Sequence, residues 1–160
     1  NIGRKVAAVA AALGCRVIAN KRTPVPDFEC VGIDELCRRA DIISVHTPLT
    51  EGTRGLISAE RIAMMKKNAI VINVARGAVC DEAALCAAVA DGRIGAIGVD
   101  VYSKEPFDAD SPYTAVAGLP NVLLTPHMAW GSLEARNRCI AEIAENIKSY
   151  AGGGSRSRIV

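Results

Sequence analysis

Two kinds of hydrophobic pattern alternate along the chain: apolar residues three and four apart, and short runs that are apolar almost throughout. Residues 2–13 have the helical spacing, Gly14 stands where such a helix stops, and residues 16–20 form a short β-rich run. The segment 21–32 holds two prolines and no clear period, whereas residues 34–39 read as a short helix feeding the apolar run 42–45. Ser58 predicts the cap of a helix over 59–65, Lys66 and Lys67 suit its C-terminal end, and residues 69–74 are a fully apolar strand. Asp81 predicts the cap of a helix over 82–90, with a strand over 94–99 after it. A loop containing Pro and Asp leads to a strand over 122–124. A long amphipathic helix over 133–150 follows, closed by Gly152-Gly153-Gly154.

Short, near-continuous apolar strands separated by helices predict a parallel sheet covered on both faces, hence a doubly wound α/β fold. The length of 160 residues fits one such domain, and a composition of 50% hydrophobic and 22% charged residues is that of an ordinary globular core. Lys plus Arg number 19 against 17 Asp plus Glu, and only 4% of residues are aromatic, which argues against a nucleic-acid or membrane-surface protein. No stretch approaches the roughly 18 to 20 apolar residues of a membrane span, and nothing at the N-terminus resembles a signal peptide. The six cysteines contain no C-x-x-C pair and only two histidines accompany them, so a metal site is not expected and the thiols read as reduced, in a cytoplasmic setting.

In doubly wound sheets the ligand sits outside the carboxyl ends of the strands. There the sequence places Lys21-Arg22-Thr23, His46-Thr47-Pro48, Ala75-Arg76-Gly77, Asp100-Val101-Tyr102 and Thr125-Pro126-His127. Arg76, Asp100 and His127 thus supply a cation, a carboxylate and an imidazole on one rim, with Glu105 shortly beyond. A histidine titrates nearest neutrality, a carboxylate beside it raises its pKa and orients the ring, and the planar fork of an arginine matches a substrate carboxylate. Taken singly, Arg76 reads as a charge on a turn and His127 as part of a polar loop; their joint position at successive strand ends selects the catalytic reading. His46 reads as a loop-ordering residue, Cys80 as a buried apolar group, and Trp130 either shapes a pocket or packs against Leu133.

These residues also carry a family resemblance. The stretches are His46-Thr47-Pro48-Leu49-Thr50 with Thr53-Arg54-Gly55-Leu56-Ile57, Met65-Lys66, and Ile72-Asn73-Val74-Ala75-Arg76-Gly77 followed by Asp81-Glu82 and Ala84-Leu85. They continue as Gly98-Val99-Asp100-Val101-Tyr102, Glu105-Pro106, Asn121-Val122 and Thr125-Pro126-His127. The order resembles that of the D-isomer-specific 2-hydroxyacid dehydrogenases. Met128-Ala129-Trp130 and Glu134-Ala135-Arg136 after His127 are most similar to the glycerate dehydrogenase, or hydroxypyruvate reductase, branch. The resemblance implies a Rossmann-type dinucleotide-binding domain and hydride transfer between a nicotinamide cofactor and a small 2-hydroxy or 2-keto acid. It also implies a homodimer. By the same resemblance His127 is the general acid/base, Glu105 hydrogen-bonds its imidazole, Arg76 binds the substrate carboxylate, and Asp100 accepts from the nicotinamide carboxamide. Cofactor contacts are expected from Ile2, Gly3, Asn20, Lys21, Arg22, Thr23, His46, Thr47, Pro48, Thr53, Val74, Ala75, Arg76, Asp100 and His127. A dinucleotide-sensing interaction module of the corepressor type is the alternative on the same fold.

Two departures from the family pattern bear on the reading. The phosphate loop G-x-G-x-x-G is matched only at its last three positions, Asn1-Ile2-Gly3, and the first strand is absent, which leaves two neighbouring strands with unpaired edges. The expectation is a dinucleotide-binding domain over 1–150, a tail over 151–160, and a natural polypeptide that continues at its N-terminus with the substrate domain. The chain alone is then expected to be inactive. At the end of the second strand, where NAD-selective members carry an acidic residue, Asn20-Lys21-Arg22-Thr23 offer positive charge, so NADP is expected over NAD.

Overall fold

The structure, a computed structural model, describes residues 2–23 and 26–159. Asn1 of the loop match, Pro24 and Val25 of the segment 21–32, and Val160 of the tail lie outside them. The chain forms two compact units, Asn1–Pro126 and His127–Val160.

In the first unit α1 (Ile2–Ala12) ends at Gly14, which adopts φ 86°, a conformation that a side chain disfavours. The strands are β1 (Ile18–Ala19), β2 (Glu29–Cys30), β3 (Ile42–Val45), β4 (Ile70–Asn73), β5 (Ala96–Val99) and β6 (Val122–Leu124). Helices α2 (Ile33–Arg39), α3 (Ala59–Met64) and α4 (Glu82–Ala90) connect them. The caps anticipated from sequence form: Ser58 accepts from the Arg61 N–H and Asp81 from the Ala84 N–H. Every strand pairing is parallel, in a two-stranded sheet β1-β2 and a four-stranded sheet β3-β4-β5-β6. Among the described residues no pairing joins the two-stranded sheet to the four-stranded one.

Several elements differ from the sequence reading. β1 is two residues rather than the run 16–20, and its partner β2 lies in the segment that showed no period. Glu29 of β2 is held by Arg16 and Arg39, whose hydrogen bonds keep its carboxyl below the usual range; this charge pairing leaves no hydrophobic trace in the sequence. β5 starts at Ala96 rather than residue 94, because Arg93 and Ile94 N–H groups are taken by the Ala88 carbonyl at the end of α4. Two 3-10 helices, Gly77–Val79 and Pro112–Ala115, have no hydrophobic period.

The core follows strand alternation. Ile43, Val45, Val71, Asn73, Ile97 and Val99 are buried on one face with Cys37 of α2, Ile62 of α3, and Leu85 and Val89 of α4. The opposite face is covered less than the sequence pattern predicts: Ile42 is 57% and Leu123 66% exposed, and α1 buries none of its side chains. In the second unit a turn leads from His127 to Ser132, whose side chain caps α5 (Leu133–Ala151) by accepting from the Ala135 N–H. That helix also buries none of its side chains. Among the described residues no helix is long and apolar enough to cross a membrane, and no cluster of His, Cys, Asp or Glu has the makings of a metal site.

Candidate active site

The four-stranded sheet ends in a straight rim. Val45, Asn73, Val99 and Leu124 are register partners, so His46, Val74, Asp100 and Thr125 emerge side by side at the carboxyl ends of β3 to β6. At β3, His46 Nε2 lies 2.9 Å from Ser44 Oγ, and burial lowers its pKa, so the ring is held neutral near pH 7. A Cβ on Gly3, in the first turn of α1, would touch the His46 Cβ at 3.4 Å. Thr47 and Pro48 follow, and the loop beyond them is closed by Thr53, whose hydroxyl donates to the Pro48 carbonyl at 2.6 Å and accepts from the Thr50 N–H at 2.7 Å.

At β4 the chain turns sharply after Asn73. Its side-chain oxygen accepts from the Ala75 N–H at 3.0 Å, and its Nδ2 donates to the Arg76 carbonyl at 3.0 Å. Val74 and Ala75 are half-buried, while the Arg76 side chain is exposed and bends back to donate to the Ala75 carbonyl at 2.6 Å. Gly77 then runs against the next strand end: an added Cβ would lie 2.1 Å from the Tyr102 carbonyl carbon and 2.2 Å from the Ser103 nitrogen. Only glycine permits this approach, which ties the Arg76 turn to the loop after β5.

That loop is fixed at several points. Asp100 is buried at 4% exposure, and the Thr125 hydroxyl donates to its Oδ1 at 2.5 Å. The Tyr102 hydroxyl donates to the Thr125 carbonyl at 2.8 Å, so the ends of β5 and β6 are tied twice. Glu105 accepts from the Tyr102 N–H through Oε1 at 2.9 Å, and the Glu82 carboxylate accepts from the Ser103 N–H at 2.8 Å. The Glu105–Pro106 peptide is cis.

His127 opens the second unit with φ 53°, in the left-handed region that residues other than glycine seldom enter. Strain of this kind collects at functional positions. The Trp130 indole N–H donates to the His127 carbonyl at 2.8 Å and the Gly131 N–H to the Met128 carbonyl at 2.8 Å, closing the turn.

The structure therefore brings the expected residues of β3 to β6 onto one rim and joins the Arg76 turn to the Asp100–Glu105 loop. Asn20, Lys21, Arg22 and Thr23 follow β1, which is not hydrogen-bonded to that sheet; the Asn20 amide donates to the Val31 carbonyl at 3.0 Å. Ile2 is exposed at the start of α1. Cys80 is buried and its thiol is pushed up to about 12, chiefly by that burial, which leaves it inert. The positions missed from sequence are Asn73, Tyr102 and Glu82: each was visible as a residue, but its role lies in contacts made on folding.

Comparison with known proteins agrees with this geometry. Residues 1–129 match the model of the D-isomer specific 2-hydroxyacid dehydrogenase, NAD binding domain. The chain is 39% identical to a glycerate dehydrogenase of Methylorubrum extorquens, over 95% of this chain and 48% of that protein. It is 41% identical to a hydroxypyruvate reductase of Thermotoga maritima, over 95% of this chain and 50% of that one. It thus spans about half the length of these curated relatives. A D-lactate dehydrogenase from Lactobacillus jensenii, solved with NAD+, superposes with a TM-score of 0.90 at 32% identity, over 99% of this chain and 52% of that one. An acyclic imino acid reductase in complex with NADPH and D-Arg superposes with a TM-score of 0.83 at 36% identity, over 95% and 48%. The chain belongs to the D-isomer specific 2-hydroxyacid dehydrogenase family and has the Rossmann-like α/β fold of its NAD-binding domain.

Proposed function

We propose that the polypeptide carrying this chain interconverts a small 2-keto acid, of the hydroxypyruvate or glyoxylate kind, and the corresponding 2-hydroxy acid at the expense of a nicotinamide cofactor. The observation that carries this reading is the aligned rim, where a buried carboxylate, Asp100, stands one strand from a turn that presents an exposed cation, Arg76. The residues suit the cofactor. Gly3 leaves room beside His46 where a Cβ would make contact, and Asp100 is an acceptor already shielded from water for the carboxamide N–H. His46, Thr47, Pro48, Val74 and Ala75 line the same rim, and Ile2 and Gly3 supply the start of α1. When bound, the cofactor supplies the hydride for the α-carbon of the substrate.

The chain's own residues bind, orient and protonate. Arg76 receives the substrate carboxylate in a fork of two hydrogen bonds and so fixes which face of the carbonyl is presented. His127 delivers a proton to the carbonyl oxygen in reduction and removes it in oxidation. Glu105 is assigned on the resemblance as the carboxylate that serves this imidazole. Because the chain spans half of its relatives, the choice of side chain on the substrate is a property of the whole polypeptide.

Lys21, Arg22 and Thr23 are all exposed after β1, and among the described residues no ion pair takes up either cation. We read them as the site of a 2′-phosphate and the cofactor as NADP in preference to NAD. A homodimer in a cytoplasmic setting completes the proposal, and sedimentation of the purified protein tests the first. No observation favours the corepressor-type alternative. Reduced cofactor consumption with hydroxypyruvate or glyoxylate tests the activity. Turnover by native protein and its loss in Arg76→Ala support it, and absence of turnover with any 2-keto acid refutes it. The ratio of kcat/KM for the two cofactors tests the NADP preference, which fails if NAD is clearly preferred.

A further inference from the structure

We propose that Asn73 is the positioning residue of this site: it holds the backbone from which Arg76 reaches the substrate carboxylate. The inference rests on the role given to Arg76 above.

Position 73 ends β4 on its core-facing side and is 0% exposed. Its partners in the same cross-strand row are Val45, Val99 and Leu124, all apolar, so packing alone would be served there by valine. A buried amide costs free energy unless its hydrogen-bonding groups are satisfied. Asn73 satisfies them on the residues that carry the cation. Its Oδ1 accepts from the Ala75 N–H at 3.0 Å, and its Nδ2 donates to the Arg76 carbonyl at 3.0 Å and lies 3.5 Å from Cys80 Sγ. The turn is thereby fixed immediately before Arg76 and at Arg76 itself.

The other side is fixed independently, by Gly77 pressed against the Tyr102–Ser103 backbone. Arg76 thus combines a backbone clamped on both sides with an exposed side chain. A long cation of this kind has its point of departure settled before substrate arrives, and less freedom remains to be lost on binding. Asn73 touches neither substrate nor cofactor; its influence runs through Arg76.

The test is a double-mutant cycle of Asn73→Ser and Arg76→Ala in the full polypeptide, measured with hydroxypyruvate at saturating reduced cofactor. Asn73→Ser should lower kcat/KM for the keto acid by about tenfold to a hundredfold while leaving the KM for cofactor within about twofold. In the Arg76→Ala background it should cause no further loss. The thermal stabilisation that oxamate, an unreactive 2-keto acid analogue, gives the native protein with cofactor should fall in both single variants. Asn73→Asp keeps the acceptor for the Ala75 N–H and removes the donor to the Arg76 carbonyl, and should show the same non-additivity if the serine variant does not fold.

Losses that multiply in the double variant overturn the proposal. So does a folded Asn73→Ser protein with kcat/KM within about twofold of native, or the failure of both position-73 variants to fold. If Arg76→Ala itself leaves turnover and the oxamate shift intact, the assignment of Arg76 fails first; if Arg76→Ala retains only a small residual turnover and the losses still multiply, only the role of Asn73 is overturned.

Discussion

The two ends of the four-stranded sheet are built from the same materials and put to different uses. Each is stapled by an asparagine amide on a backbone carbonyl, Asn73 on Arg76 at the carboxyl end and Asn121 on Gly95, at 2.9 Å, at the amino end. Each includes a glycine with no room for a Cβ: Gly77 against Tyr102 and Ser103, and Gly95 against Asn68, whose carbonyl oxygen would lie 2.7 Å away. At the amino end Lys66 and Asp41 neutralise each other. At the carboxyl end a cation is presented outward and a carboxylate is shielded inward. On the function proposed above, rigidity at one end serves the fold alone, and at the other it also serves a ligand.

Substitutions can break that contrast, the largest effect coming from Arg76→Ala. It should lower kcat/KM for a 2-keto acid by on the order of 10^2 to 10^3, the cost of one well-placed donor in an active site. The unfolding midpoint should barely move, because the side chain is exposed. Next come the glycines. Gly77→Ala and Gly95→Ala should each cost about 1–3 kcal/mol of stability, since backbone must shift in both, as urea unfolding would show. Only Gly77→Ala should also weaken keto acid binding, and equal kinetic damage from both would erase the distinction between the ends.

Tyr102→Phe removes the hydroxyl that joins the ends of β5 and β6, and Asn121→Ala removes the amide at the opposite end. Each should cost about 1 kcal/mol in stability. Asn121→Ala should leave kcat untouched, and Tyr102→Phe should lower it. The smallest effects are electrostatic. Lys66→Ala should change stability by less than about 1 kcal/mol, since its ion pair with Asp41 is exposed. His46 is half-buried, and that burial holds its pKa below the ordinary 6.5, so unfolding takes up a proton in the window between the lowered value and 6.5. Its contribution to stability is complete above pH 6.5 and declines as the pH falls through that window. His46→Gln should remove that part of the slope, and an unchanged slope would show that the ring is not desolvated.

Much of this contrast is written in the sequence, for identifiable reasons. β3, β4 and β6, the caps Ser58 and Asp81, and the glycine stop after α1 follow from local pattern, and parallel strands carry their terminal residues to one rim. That is why the place of Arg76 and Asp100 on the rim is legible from the order of residues alone. β2 is not, because two residues paired through charge and backbone carry no periodicity. Nor are the tasks of Asn73 and Tyr102. Asn73 sits within an apolar strand and acts on a turn whose shape it helps define, and Tyr102 meets Thr125 across 23 residues of sequence. The left-handed backbone of His127 has no decisive local signal either, since residues other than glycine adopt that conformation only in a few per cent of cases.

The turn after β4 is where the proposed function is most directly open to test. Reduced nicotinamide cofactor should be consumed by the native polypeptide in the presence of hydroxypyruvate, and Arg76→Ala should abolish most of that consumption while the protein remains folded. Equal rates for the native and Arg76→Ala proteins would contradict it.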